Sequence, residues 1–389
     1  MLHGMRWGLC WLLVCVTLVI GCSGAFAAPL EENAPLTLSS PSAVLLEAET
    51  GAVILEKNAH DRRPAASVTK LMTVLLILEK LDRGEITLED RVTVSPNAAG
   101  QPGSQAFLDT HAVYPVKDLL KAVIISSAND GAVALAEYAA GSESAFAEAM
   151  NQRAGELGLR DTHYVNCTGL PAENQYTSAW DVGVISREVT RHPAYFTYSS
   201  VWLDSLTHPS GRVTDLTNTN RLVRFYQDCD GLKTGSTNEA KYCLSATASR
   251  KGMRLIAVVL GTPESQTRFN EARALLDYGF SAYTLVSVAQ AGDLTGSQVP
   301  VRLGARDTVD VAVGKGLKLL IKNGQQNQLR YETQLDDSVT APVHAGDPLG
   351  TVYVLLAGER IASLPAVAAQ DVRLPGLLEG LFRLGENWR

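Results

Sequence analysis

Strand patterns stand at both ends of the first two-thirds of the chain with helical patterns between them, and this order limits the possible folds more than any other feature. Ser42 to Asn58 reads as a hairpin, with Ala43-Val44-Leu45-Leu46-Glu47-Ala48 leading through Glu49-Thr50-Gly51 into Ala52-Val53-Ile54-Leu55. Lys241 to Ser249 and Met253 to Gly261 form a second strand pair around Arg250-Lys251-Gly252, followed by a helix from Ser265 to Tyr278. Between these ends the chain is mostly helical to about Thr190, clearest at Lys117 to Ile125, Gly131 to Ala140 and Ser144 to Gly155, with breaks at Gly100 to Ser104 and Gly141 to Ser142. Strands so remote in sequence predict one mixed sheet closed by both ends, with a helical insertion and one helix packed on it, an α/β domain. Beyond about Leu285 the pattern becomes short strands with Gly turns: 299–303, 309–313, 317–321 and 351–356. This predicts a separate small all-β domain, and it holds no cluster of candidate catalytic residues.

The chemistry begins after the hairpin, at Pro64-Ala65-Ala66-Ser67-Val68-Thr69-Lys70. Leu71, Val74, Leu75 and Leu78 recur at helical spacing, so Val68 to Leu81 reads as a buried helix whose first turn places Ser67 and Lys70 in contact. A lysine drawn into apolar surroundings loses hydration and its pKa falls. The neutral amine is then able to take a proton from the serine. The helix N-terminus adds unpaired N–H groups and a positive dipole end, which suit charge developing on a substrate oxygen.

Two further stretches gain meaning beside this pair. Ser126-Ser127-Ala128-Asn129-Asp130 lies between helical segments, where a turn presents Ser127 and Asn129 to one cleft as i, i+2 spacing on a helix does not. Asp230-Gly231-Leu232-Lys233-Thr234-Gly235-Ser236 enters a strand in which Lys233 and Gly235 share a face and the Gly lets a ligand near the backbone. How Thr234 reaches the same ligand does not follow from that period.

Composition narrows the partners. At 46% hydrophobic and 19% charged over 389 residues the chain is an ordinary globular one of two or three domains, and a net charge of -7 argues against nucleic acid. An anionic substrate must be met by local charge. Met1 to Arg6, the apolar run Trp7 to Gly21 and Ala25-Phe26-Ala27 read as a signal peptide over 1–27, with an acidic, Pro-bearing linker at 28–38. A second reading of the same segment takes Val19-Ile20-Gly21-Cys22 as a lipid-attachment box. Either reading exports the protein. Cys10, Cys15 and Cys22 fall in the leader, leaving Cys167, Cys229 and Cys243, read as small buried residues; with no CxxC and no Cys/His ligand spacing no metal site is expected. The histidines are scattered and read as structural or solvent-facing. Asp181, after Tyr176-Thr177-Ser178-Ala179-Trp180, reads as the start of a helix holding a cleft wall.

Taken in order on an exported chain, Ser-X-X-Lys, Ser-X-Asn and Lys-Thr-Gly form a specific set. The sequence resembles the low-molecular-weight penicillin-binding proteins, and within them the D-alanyl-D-alanine carboxypeptidases with their β-lactamase/D,D-peptidase-like fold. Ala66 to Thr73, Gly231 to Leu244 and Val258 to Leu276, with Arg268-Phe269-Asn270, are the stretches most similar to that family. The resemblance implies a D,D-peptidase catalytic domain over 39–284, a small β domain over 285–368 and an amphipathic, membrane-associating tail over 369–389. It implies a serine hydrolase without cofactor, acting on peptidoglycan stem peptides that end in D-Ala-D-Ala and covalently inhibited by β-lactams. Ser67 would be the nucleophile, Lys70 its base and Ser127 a proton relay to the leaving D-Ala. Asn129 would orient the peptide, the N–H groups of Ser67 and Ser236 would hold the oxyanion beside Gly235, and Lys233, Thr234 and Arg268 would receive the terminal carboxylate. Ser236 stands where many relatives carry His, and Lys241 where Gly is frequent.

The alternatives are a β-lactamase, disfavoured by the lack of an obvious Glu-bearing deacylation loop, a D,D-endopeptidase or transpeptidase, and a non-catalytic β-lactam- or wall-binding protein. In the tail, Leu374, Leu377, Leu378, Leu381, Phe382 and Trp388 fall on one helical stripe, which predicts attachment to the outer face of the cytoplasmic membrane by apolar burial. Packing on the β domain is the competing reading of the same stripe.

Overall fold

The computed structural model describes residues 36–379. The signal-peptide expectation, most of the linker and the last ten positions of the predicted tail helix lie outside the described residues.

The two ends of the first region do meet in one sheet. Its five strands run in the order Val53–Lys57, Ser42–Glu47, Met253–Thr262, Lys241–Arg250, Cys229–Thr237, all neighbours antiparallel. Ala43 to Leu46 and Leu255 to Leu260 in two of the central strands are unbroken apolar runs because both faces are covered. Val44, Leu46, Ile256, Val258 and Leu260 join the core beneath the helical insertion, while the alternate residues Ala43, Leu45, Leu255, Ala257 and Val259 pack against Phe269, Ala272, Leu275 and Leu276 of the Ser265–Ala282 helix. Period-two alternation thus divides one hydrophobic run between two cores. The insertion carries the helices Lys70–Asp82, Val116–Ser126, Asn129–Ala140, Glu143–Glu156 and Ala179–Thr190. It also carries an antiparallel hairpin, Leu203–Thr207 with Val213–Thr217.

The remainder is β structure. Tyr283–Ala289 pairs with Leu317–Lys322, and a six-stranded sheet is built in the order Leu329–Leu335, Pro348–Leu356, Glu359–Ala368, Thr308–Val313, Leu294–Arg302, Val339–Thr340 over a core that includes Val299, Val311, Val354 and Leu364. The chain stays attached to this sheet further than the amphipathic pattern implies. Val372 is buried and bridges Val343, and only from Leu374 onward does the stripe emerge, with Leu377 87% exposed at the first turn of a helix.

Candidate active site

Ser67 does not begin an α-helix. It sits in a 3-10 turn, Ala66–Thr69, that leads into the α-helix starting at Lys70. The tighter winding eclipses residues three apart and so favours the contact that the spacing predicts. Ala66 takes φ 48°, a left-handed conformation unusual for a residue with a side chain. Two glycines hold the turn in place by letting other backbone segments press against it. A Cβ at Gly169 would fall 1.9 Å from the Ala66 carbonyl oxygen, and one at Gly235 would fall 2.5 Å from that of Ala65 and 2.9 Å from the Ser67 nitrogen.

The Lys70 side chain is wholly buried, and its Nζ donates to Ser67 Oγ at 2.9 Å, Asn129 Oδ1 at 2.6 Å and the Thr168 carbonyl at 2.7 Å. Burial pulls its pKa down to about 7 against the opposing pull of Cys167 and Asp130. Near neutrality a substantial share of Lys70 is therefore the free amine, to which Ser67 Oγ–H donates across the same 2.9 Å contact.

A turn separates two helices at Ser127 and Ala128. The helix Val116–Ser126 ends at Ser127, in the left-handed region at φ 66°, and the next begins at Asn129. Asn129 Nδ2 donates to the Pro102 carbonyl at 2.5 Å, and Asp130 accepts from the backbone N–H groups of Ala106 and Leu108, so the loop Gly100 to Leu108 wraps this corner. The Ser127 hydroxyl is buried and has no hydrogen-bond partner.

Lys233, Thr234, Gly235 and Ser236 lie on Cys229–Thr237, the edge strand of the sheet beside the Ser67 turn. The Lys233 Nζ donates to the Thr234 carbonyl at 2.9 Å, and its pKa is pushed well down by burial and by the charges of Lys70 and Arg268. Thr234 Oγ1 donates to Thr219 Oγ1 at 2.7 Å. Arg268 Nη1 donates to the Gly235 carbonyl at 2.9 Å, and its guanidinium lies over the Tyr242 and Phe269 rings, while its buried Nε has no partner. Lys70, Lys233 and Arg268 thus lie near enough to act on one another electrostatically, and the Ser127 hydroxyl and Arg268 Nε are buried polar groups left without partners.

The sequence reading missed the floor of the site. Asn166 Oδ1 accepts from Gly169 N at 2.8 Å and Thr168 N at 3.2 Å, while Gln175 Oε1 accepts from Val165 N and Asn166 N. These bonds shape the loop that turns the Thr168 carbonyl toward Lys70. Asn and Gly at 166 and 169 are a legible turn signal, but nothing local says which helix the turn supports. Asp181 lies in the first turn of Ala179–Thr190, capped by Ser178, and accepts from Asp161 N and Thr162 Oγ1, so it fastens a neighbouring segment. Cys167, Cys229 and Cys243 are buried free thiols.

Residues 29–264 match the family model described as D-alanyl-D-alanine carboxypeptidase, and residues 283–373 match that of the penicillin-binding protein 5 C-terminal domain. The chain is 37% identical to the D-alanyl-D-alanine carboxypeptidase DacF of Bacillus subtilis, over 97% of each chain. It is 32% identical to DacA of Escherichia coli, covering 86% of this chain and 84% of that one. The crystal structure of penicillin binding protein 5 from Haemophilus influenzae superposes with a TM-score of 0.78 at 31% identity, over 88% of this chain and 99% of that one.

Proposed function

The chain belongs to the D-alanyl-D-alanine carboxypeptidase family of serine hydrolases, and on that premise we propose that it removes the terminal D-Ala from peptidoglycan stem peptides through an acyl-enzyme on Ser67. The observation that carries this reading is the 2.9 Å contact between Ser67 Oγ and a fully buried Lys70 whose pKa is lowered to about 7. Ser67 Oγ attacks the carbonyl carbon of the penultimate D-Ala as Lys70 takes its proton. The oxyanion is held by the N–H groups of Ser67 and Ser236. The C–N bond then breaks, the amine of the terminal D-Ala leaves with a proton passed through Ser127, and the peptide remains as an ester. Water, deprotonated by Lys70, attacks that ester and returns the hydroxyl to Ser67.

Lys233, Thr234 and Arg268 receive the terminal carboxylate, whose negative charge offsets the cost of holding Lys233 and Arg268 buried near each other. Asn129 holds Lys70 in place through its 2.6 Å contact as well as orienting the peptide. A β-lactam presents a strained amide and a carboxylate to the same groups and acylates Ser67 in the same way. The decisive test is incubation with a peptide ending in D-Ala-D-Ala, followed for free D-Ala. Release supports the carboxypeptidase; no release with retained penicillin labelling would replace it by a binding protein.

The leader over 1–27 and the tail belong to the same proposal, which places the enzyme at the outer face of the cytoplasmic membrane. Its support is the family's cell-wall substrate and the exposure of Leu374, Leu377 and Leu378. Among the described residues no helix is long and apolar enough to cross a membrane, so attachment would be interfacial.

A further inference from the structure

We propose that Glu143 is a positioning residue for acyl transfer: from the first turn of a helix it fixes Cys167, and through Cys167 it aims the Thr168 carbonyl at the Lys70 amine. The inference rests on the carboxypeptidase reading, in which Lys70 is the base. Of the three oxygens that hold the Lys70 Nζ, Ser67 Oγ is the reacting group and Asn129 Oδ1 belongs to a helix, whereas the Thr168 carbonyl belongs to a loop. A loop carbonyl needs the neighbouring peptide to be held if it is to stay 2.7 Å from the amine.

That peptide is held from both sides. The Cys167 N–H and Sγ–H both donate to Glu143 Oε1, at 3.2 and 3.3 Å, and the Cys167 carbonyl accepts from Thr73 Oγ1 at 2.6 Å. Thr73 is wholly buried in the Lys70–Asp82 helix, one turn beyond Lys70, so it ties the loop to the helix that carries the base. Glu143 ties the loop to a second helix, Glu143–Glu156, whose start is capped by Ser142 and whose Phe146 and Met150 are buried. Cys167 is itself wholly buried. Burial, and then the Glu143 charge, pushes its thiol well above the ordinary range, so it remains an S–H donor at neutral pH. Asn166 shapes the turn from within, and Glu143 sets where that turn lies between two helices.

The effect reaches Lys70 without a direct contact. The titratable groups that act on its amine are Asp130, Cys167 and Lys233, and substitution of Glu143 leaves all three in place. Once the Cys167 peptide is released, the Thr168 carbonyl recedes and the ammonium form of Lys70 loses one of its three acceptors. The charged form loses more than the neutral one, so the balance moves toward the free amine while that amine is held less firmly against Ser67.

The test uses the full chain and benzylpenicillin, with the second-order rate of acylation followed on both sides of pH 7 for wild type, Glu143→Ala and Glu143→Gln, and urea unfolding of each. Glu143→Ala lowers the plateau rate about fivefold, the scale of one lost hydrogen bond, and moves the midpoint of the acid limb down by about half a pH unit. Glu143→Gln keeps an acceptor oxygen for the Cys167 N–H and Sγ–H, and restores rate and midpoint to near those of the wild type although it carries no charge. A midpoint that Glu143→Ala leaves unmoved or raises, or a Gln variant no better than the Ala one, would overturn the inference and leave the carboxypeptidase intact. Failure of Glu143→Ala to fold would overturn it equally, since the residue would then be structural only. A wild type that penicillin does not acylate overturns the carboxypeptidase reading and this inference with it.

Discussion

Lys70 is wholly buried and offers its three hydrogens to three oxygens, so the charged form is well bonded but poorly solvated, and the balance brings its pKa to about 7. The sign of the pH dependence follows. Below about 7 Lys70 is a cation with no lone pair for the Ser67 proton; above it the free amine predominates. The second-order rate of acylation by penicillin should climb about tenfold for each unit of pH on the acid side of 7 and level off above it. Lys70→Arg keeps the cation at every accessible pH, and should lower that rate by orders of magnitude without the rise. A flat wild-type profile, or near-normal acylation of the arginine variant, contradicts a base role. The same lowered pKa makes folding depend on pH. Between about 7 and the ordinary 10.5 the unfolded chain binds more protons than the folded one at this position, so the contribution of Lys70 to stability rises with pH through that window.

At the scale of elements, the site is a 3-10 turn pressed between an edge strand and a loop, each of which approaches through a glycine. Gly169 shows the consequence most sharply, because it combines φ +81° with a position where a Cβ would meet the Ala66 carbonyl oxygen at 1.9 Å. Gly169→Ala should force the loop outward, withdraw the Thr168 carbonyl from Lys70, and cost about 1–3 kcal/mol of stability. Its acylation should fall by at least about tenfold, the fall that a 1.4 kcal/mol loss of transition-state support gives. Urea unfolding and the acylation rate check the two effects, and a variant normal in both would show that the loop does not position the turn. Much of this level was legible in the sequence. The hairpin at 42–58, the strands at 241–261 and the helix after Ser265 were readable because strands covered on both faces are long apolar runs and helices keep their period. The strand Leu329–Leu335 was not. It is an edge strand exposed on both faces, with Arg330, Glu332, Thr333 and Gln334 in its middle, so no hydrophobic alternation marks it. The 3-10 start at Ala66 was likewise invisible, since it is imposed by Gly169 and Gly235, which lie far along the chain.

At the scale of the whole molecule, Lys70 joins Ser67 and Asn129 in the α/β region, with Lys233 and Arg268 near by, whereas the β region that follows carries its own core and leads into an apolar stripe. The boundary of that stripe is sharper in the structure than in the sequence. Asp371 accepts from Ala345 N and Val372 is paired with Val343 within the core of the β region, so these residues belong to that fold, while Leu374, Leu377 and Leu378 are exposed. A chain ending at Arg373 should therefore keep the β fold, retain peptide hydrolysis, and no longer sediment with phospholipid vesicles that bind the full chain. Apolar burial should make that binding insensitive to salt. A truncated chain that still sediments would move the anchor elsewhere, to a lipid at Cys22.

The proposed chemistry runs through one oxygen atom, Ser67 Oγ, so the most direct measurement is the site of the covalent penicillin adduct. Wild-type protein and Ser67→Ala are incubated with benzylpenicillin, digested with trypsin and mapped by mass spectrometry. A nucleophilic Ser67 should carry the penicilloyl adduct, within the peptide spanning residues 63–70, and the Ser67→Ala chain should carry none anywhere. An adduct on another residue of the wild type, or labelling that persists in the variant, would contradict it.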